Sequence, residues 1–83
     1  IFFIHGWPDS MEMWDAQVKA LSKDYRCIRM TAPNFGKESN DRSWGCGFAE
    51  LISMIAEAIE THSKKKKVTV ISHDWGCMWT FLL

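Results

Sequence analysis

The chain has 83 residues, 47% of them hydrophobic and 13% aromatic, the make-up of one small globular domain rather than of a disordered or fibrous segment. Ten basic and ten acidic residues cancel; without the four lysines at 64–67 the remainder is six against ten, or −4, which argues against a broad basic face for nucleic acid. No apolar stretch reaches the roughly 20 residues of a membrane-spanning helix.

The chain opens without Met on Ile1-Phe2-Phe3-Ile4 and closes on another apolar run. It is therefore expected to be a fragment of a longer protein, and residues 1–4 are too few for a signal-peptide core. Four apolar residues in a row suit a strand covered on both faces. His5-Gly6-Trp7-Pro8 breaks that strand. Asp9 stands three residues before Glu12, the spacing of a capping box, and a helix is expected to run to about Ser22. Its apolar stripe is Met11, Trp14, Val18 and Leu21, one face of a helix. Residues 25–31 read as a second strand, less apolar than a fully buried one because of Arg26 and Arg29. Residues 33–44 are rich in Pro, Asn, Gly, Ser and Asp and read as a loop. A second helix is predicted over 48–61, with Phe48, Leu51, Ile52, Ile55 and Ile59 on one face. Lys64 to Lys67 are expected to form a solvated loop, and β-branched residues 68–71 a third strand. Strands alternating with helices predict an α/β fold, a parallel sheet with helices on both faces.

Three cysteines, Cys27, Cys46 and Cys77, are odd in number and widely spaced. No C-x-x-C or Cys/His cluster occurs, so the expectation is reduced thiols, no metal, and an intracellular, cytoplasmic setting. Cys77 is expected to fill a helix–sheet contact rather than to act as a lowered-pKa thiol.

The third strand ends at Ser72-His73-Asp74-Trp75-Gly76, and an apolar helix start follows. Strand, tight turn and helix is the setting of the nucleophile elbow, G-x-S-x-G, with Asp74 where the serine would stand. Such a turn lifts one side chain clear of the sheet and sets it at a helix N-terminus, where free N–H groups favour negative charge. An ordinary turn in which Asp74 merely caps the helix fits these five residues equally well. In a parallel sheet, ligands bind at the carboxyl ends of the strands. His5 to Pro8 and Asp74 therefore share one end, where backbone N–H groups from both loops could form an oxyanion hole. From the first loop alone, a plain βα connection is the simpler reading.

His5-Gly6-Trp7-Pro8-Asp9 together with Ser72-His73-Asp74-Trp75-Gly76 resembles the α/β-hydrolase superfamily, in its epoxide hydrolase and haloalkane dehalogenase branch. The resemblance covers residues 1–83, as a partial core domain. It implies Asp74 as the nucleophile that forms an ester with the substrate. Trp7 and Trp75 would supply the oxyanion-hole N–H groups, and His5, Gly6, Pro8, His73 and Gly76 would brace the two turns. Trp7 stands where many dehalogenases carry Asn, which favours epoxide opening over dehalogenation. The implied substrate is a small molecule, an epoxide or an alkyl halide, and no cofactor is implied.

The superfamily order is nucleophile, acid, histidine, and nine residues follow Asp74. The acid and the water-activating histidine are thus expected beyond Leu83, with the cap domain and its epoxide-polarising tyrosines. His62 is expected at the surface, and Asp15, Glu38 and Asp41 lack a motif context. The competing readings are a haloalkane dehalogenase and an inactive or truncated relative that acts by binding only. A nucleotide-binding domain is disfavoured, since neither G-x-G-x-x-G nor a P-loop occurs.

Overall fold

The computed structural model describes residues 1–33, 35 and 47–83. Strands β1 (Phe2–Ile4), β2 (Ile28–Met30) and β3 (Val70–Ser72) form one sheet in the order β2-β1-β3. Both pairings are parallel, with Phe2 opposite Ile28 and Val70, and Ile4 opposite Met30 and Ser72. Helices alternate with the strands: α1 (Asp15–Leu21), entered through a 3-10 turn over Met11–Trp14, then α2 (Phe48–Ser63) and α3 (Trp75–Phe81).

The central position of β1 accounts for its unbroken apolar run. Side chains alternate between the faces of a strand, and Phe2, Phe3 and Ile4 are all buried. Phe2 and Ile4 join Ala32, Leu51, Ile55 and Trp79 in the main core. Phe3 faces the other way, its ring centroid 5.2 Å from that of Trp14. Helices α2 and α3 thus cover one face, and the 3-10 turn that opens α1 packs on the other. Loss of a buried aromatic costs about 3–5 kcal/mol, so Phe2 and Phe3 anchor opposite layers through adjacent positions.

Three expectations are corrected. The Asp9–Glu12 capping box does not form. Ser10, not Asp9, precedes the first helical turn, and its hydroxyl donates to the Glu12 carboxylate. That bond holds the Glu12 carboxyl below its usual range. The Asp9 N–H is already committed to the Gly6 carbonyl at 2.9 Å. The unpaired Met11 N–H is capped from elsewhere in the fold, by the Thr31 hydroxyl at 3.1 Å.

Second, Phe48 belongs to the apolar stripe of α2 by spacing, but its side chain is exposed. Leu51 and Ile55 are buried and Ile52 and Ile59 half-buried. Third, Cys77 is exposed rather than wedged against the sheet. Gly76 and Trp79 take the buried positions of α3, and Cys77, one residue past Gly76, is turned about 100° around the helix axis at 3.6 residues per turn.

The polar residues of β2 have local partners. Arg29 pairs with Asp15 and donates to the Met11 carbonyl, and Arg26 donates to the His62 carbonyl near the end of α2. The lysine run turns back toward β3 in the open, with Lys64 and Lys65 at positive φ and the Lys66 N–H donating to Ser63. Most of the predicted 33–44 loop, with Glu38, Asp41 and Cys46, lies outside the described residues. Among the described residues no helix is long and apolar enough to cross a membrane.

Candidate active site

The loop after β1 and the turn after β3 come from adjacent strands and leave the sheet over opposite faces. Such a divergence opens a crevice at the carboxyl ends of parallel strands. The β1–β3 ladder carries the turn out of the sheet, since the His73 N–H donates to the Ile4 carbonyl at 3.2 Å. Asp74 follows with φ 54 and ψ −128. Such a backbone is unfavourable for a residue with a Cβ, by about 1–3 kcal/mol, and persists only where the surroundings impose it. Helix α3 starts at the next residue. The Gly76 N–H returns to His73 and the Cys77 N–H to the Asp74 carbonyl, each at 2.9 Å. The Trp75 N–H, at the first helical position, has no acceptor within the helix.

Two glycines allow the loops to interlock. A Cβ on Gly6 would lie 2.5 Å from Asp74 Cβ, 2.6 Å from the His73 carbonyl oxygen and 2.7 Å from Asp74 Oδ2. A Cβ on Gly76 would lie 2.4 Å from the His5 carbonyl oxygen and 2.6 Å from that of Ile4. Each glycine faces the other loop, so the first loop approaches the elbow while α3 approaches β1. The result is a direct contact: the Trp7 backbone N–H donates to Asp74 Oδ2 at 3.0 Å. Trp7 is followed by Pro8 through a cis peptide bond.

His5 is buried beneath this contact. Its Nε2 lies 2.9 Å from the Ala32 backbone nitrogen and its Nδ1 2.8 Å from the Gly6 carbonyl. A backbone N–H can only donate, so Nε2 accepts and Nδ1–H donates. Both ring nitrogens are engaged, and neither is free to activate water. The ring ties the end of β1 to the end of β2 and packs near Phe35 and Trp79, with centroids at 5.2 and 6.1 Å.

The remaining candidates fall as follows. Asp74, Trp7, Trp75, His5, Gly6, Pro8, His73 and Gly76 converge at one end of the sheet. The His73 and Pro8 side chains are exposed there. His62 is exposed in the last turn of α2, and Asp15 is engaged by Arg29. Among the described residues no three His, Cys, Asp or Glu side chains could hold a metal ion together. Ala32 and Phe35 were not legible as site residues; a small residue just past β2 was their one trace.

Two hollows meet at the elbow. One, of about 310 Å³, is lined by Asp74, Trp75 and Met78. The other, of about 260 Å³, is lined by Trp7, Phe35, Phe48, Leu51, Trp75 and Trp79. A further cavity of about 400 Å³ opens near Ile1, Arg26 and Lys66, at the amino ends of the strands and away from Asp74.

The alpha/beta hydrolase fold family matches over residues 1–83. The chain belongs to the α/β-hydrolase fold family. Among its relatives is a "Probable oxidoreductase EphD" of Mycobacterium tuberculosis (strain ATCC 25618 / H37Rv), 28% identical over 99% of this chain and 14% of that protein. Epoxide hydrolase 1 of Caenorhabditis elegans is 29% identical over 98% of this chain and 20% of its own length. Epoxide hydrolase B of the same M. tuberculosis strain is 27% identical over 98% of this chain and 24% of its own length. The chain thus spans between a seventh and a quarter of these relatives. No solved structure matches it.

Proposed function

We propose that the protein containing this chain is an epoxide hydrolase in which Asp74 is the nucleophile. The observation that carries the reading is the state of the Asp74 carboxylate. It stands on a strained elbow with Oδ2 held at 3.0 Å by the Trp7 N–H. The similarity to two proteins named epoxide hydrolase supports the same chemistry. The name oxidoreductase on a further relative has no counterpart in this chain, whose five glycines never take the G-x-G-x-x-G spacing of a dinucleotide site.

The two carboxylate oxygens are then not equivalent. Oδ2 is held, so Oδ1 attacks an epoxide carbon. The ring C–O bond breaks, the ring oxygen takes up a proton, and an alkyl ester of Asp74 remains. Oδ2 is now the ester carbonyl oxygen. Water adds to Cγ and the negative charge develops on Oδ2, where the Trp7 N–H already lies within the 2.7–3.1 Å expected of an oxyanion donor. The Trp75 N–H is assigned as the second donor. Collapse releases a vicinal diol that carries Oδ1, and the water oxygen stays on Asp74. The base that deprotonates this water is expected outside residues 1–83, where the superfamily order of nucleophile, acid and histidine places it, and His5 has no free ring nitrogen.

The test is to give the full-length protein a simple terminal epoxide and to measure vicinal diol. Diol formation that is lost in Asp74→Asn supports the reading. Halide release from an alkyl halide with no diol from any epoxide would refute it.

A further inference from the structure

The apolar hollow beside Asp74 has no part in the chemistry above. Its six lining residues are Trp7, Phe35, Phe48, Leu51, Trp75 and Trp79, and none is charged. Five are aromatic. Trp7 and Trp75, at the oxyanion-hole positions, both line this hollow, and the Trp7 backbone N–H also reaches the carboxylate. Trp75 also lines the hollow that contains Asp74, so the two spaces are neighbours that share one residue.

Phe48 is the informative member. By spacing it belongs to the buried stripe of α2, yet its side chain is 48% exposed. It meets the Trp75 ring edge-to-face, with centroids 6.5 Å apart and planes at 74°. Trp7 is 65% and Trp75 48% exposed. Three large rings around one hollow, each about half exposed or more among the described residues, leave apolar surface that gains free energy when an apolar group displaces water from it.

We infer that this hollow receives the apolar substituent of the substrate, and that Phe48 is a specificity-determining residue selecting aryl or bulky alkyl epoxides over small ones. The inference rests on the assignment of Asp74 as nucleophile. The occupant is argued from adjacency to the carboxylate, since Trp75 lines both hollows and the Trp7 N–H donates to Asp74, and from size. About 260 Å³ lies just below the roughly 300–1,000 Å³ of drug-sized ligand sites, enough for one ring or a branched alkyl group. An uncharged aromatic lining selects against an ionic substituent, which would lose its hydration there without a partner.

The experiment measures kcat/KM of the full-length protein for styrene oxide and for propylene oxide, in wild type, Phe48→Ala and Phe48→Trp. One well-placed apolar contact changes discrimination about 10- to 200-fold. Phe48→Ala removes one wall of the hollow, so the styrene-to-propylene ratio is expected to fall about tenfold, mainly through KM for styrene oxide. Phe48→Trp fills the hollow and is expected to lower the ratio as well. A ratio within twofold of wild type in both variants would overturn the inference, because the hollow would then not hold the substituent. That outcome is distinct from failure of the underlying reading, in which neither epoxide would be turned over and Asp74→Asn would change nothing.

Discussion

Trp7 and Asp74, 67 positions apart, are joined by one hydrogen bond, from the Trp7 N–H to Asp74 Oδ2 at 3.0 Å. It spans the ends of β1 and β3 and marks which carboxylate oxygen is held and which is free among the described residues. The bond requires Gly6, because any side chain there would stand between the two loops.

Gly6→Ala is therefore expected to damage the chemistry more than its size suggests. The new methyl group would meet the Asp74 Cβ at 2.5 Å and Oδ2 at 2.7 Å, so either the loop or the carboxylate must move. Loss of one oxyanion donor costs about a hundred- to a thousandfold in kcat, or about 3–4 kcal/mol. A kcat measurement on the full-length variant checks this. A rate within threefold of wild type would show that the Trp7 N–H does not act on the charge that develops.

Gly76→Ala addresses packing. Its methyl group would meet the His5 and Ile4 carbonyl oxygens at 2.4 and 2.6 Å, and both are backbone of the central strand. Neither can swing aside, so α3 must lift from β1. Overpacking of this kind costs about 1–3 kcal/mol. The denaturant midpoint of the full-length protein should fall, with the slope unchanged. An unshifted midpoint would mean that α3 has room the structure does not give it.

His5→Phe separates bracing from catalysis. The substitution keeps a ring in the core but orphans the Ala32 N–H, while the Gly6 carbonyl keeps the Asp9 N–H as its donor. An unsatisfied buried group costs about 1–3 kcal/mol, so stability should fall by about that amount. The acidic and basic limbs of the pH–rate profile should stay where they are, because His5 transfers no proton in the reaction. A limb that disappears in the variant would make His5 a general base.

Residues 1–83 expressed alone are expected not to fold stably. The sheet has three strands of three residues each and two open edges. Phe81 is 91% exposed and Leu82 and Leu83 are about half exposed. Open edges and bare apolar side chains favour association over a monomer. Thermal unfolding followed by circular dichroism, with size-exclusion chromatography, should give no cooperative transition of a monomeric species. A sharp monomeric melt would show that this core stands by itself.

What was legible in the sequence follows from the range of each interaction. The alternation of strands and helices, the buried Trp14 on its predicted stripe, the buried Leu51 and Ile55 of α2, and the elbow all depend on spacing within one segment, and spacing is visible in a chain. His5 depends on Ala32, 27 positions away, and the first turn before α1 is capped by Thr31, 20 positions away. No local pattern announces either bond. The capping box at Asp9 and Glu12 had the right spacing but lost to a turn that had already taken the Asp9 N–H. Phe48 had the period of a core residue, but period identifies a face and not whether anything packs on its first turn. The misplacement of Cys77 is of another kind. The small residue that α3 needs against β1 is its neighbour Gly76, and one position is enough to turn a side chain from sheet to solvent.

The central claim is that the Asp74 carboxylate attacks carbon. A single turnover of the full-length protein in heavy-oxygen water tests it most directly, with enzyme in excess over epoxide and peptide mass spectrometry across residues 72–79. If Oδ1 leaves with the product and water adds to Cγ, one heavy oxygen appears on Asp74 and the first diol formed is unlabelled. If the diol carries the label and Asp74 does not, water attacked the epoxide directly, and Asp74 acts as a general base rather than as the nucleophile.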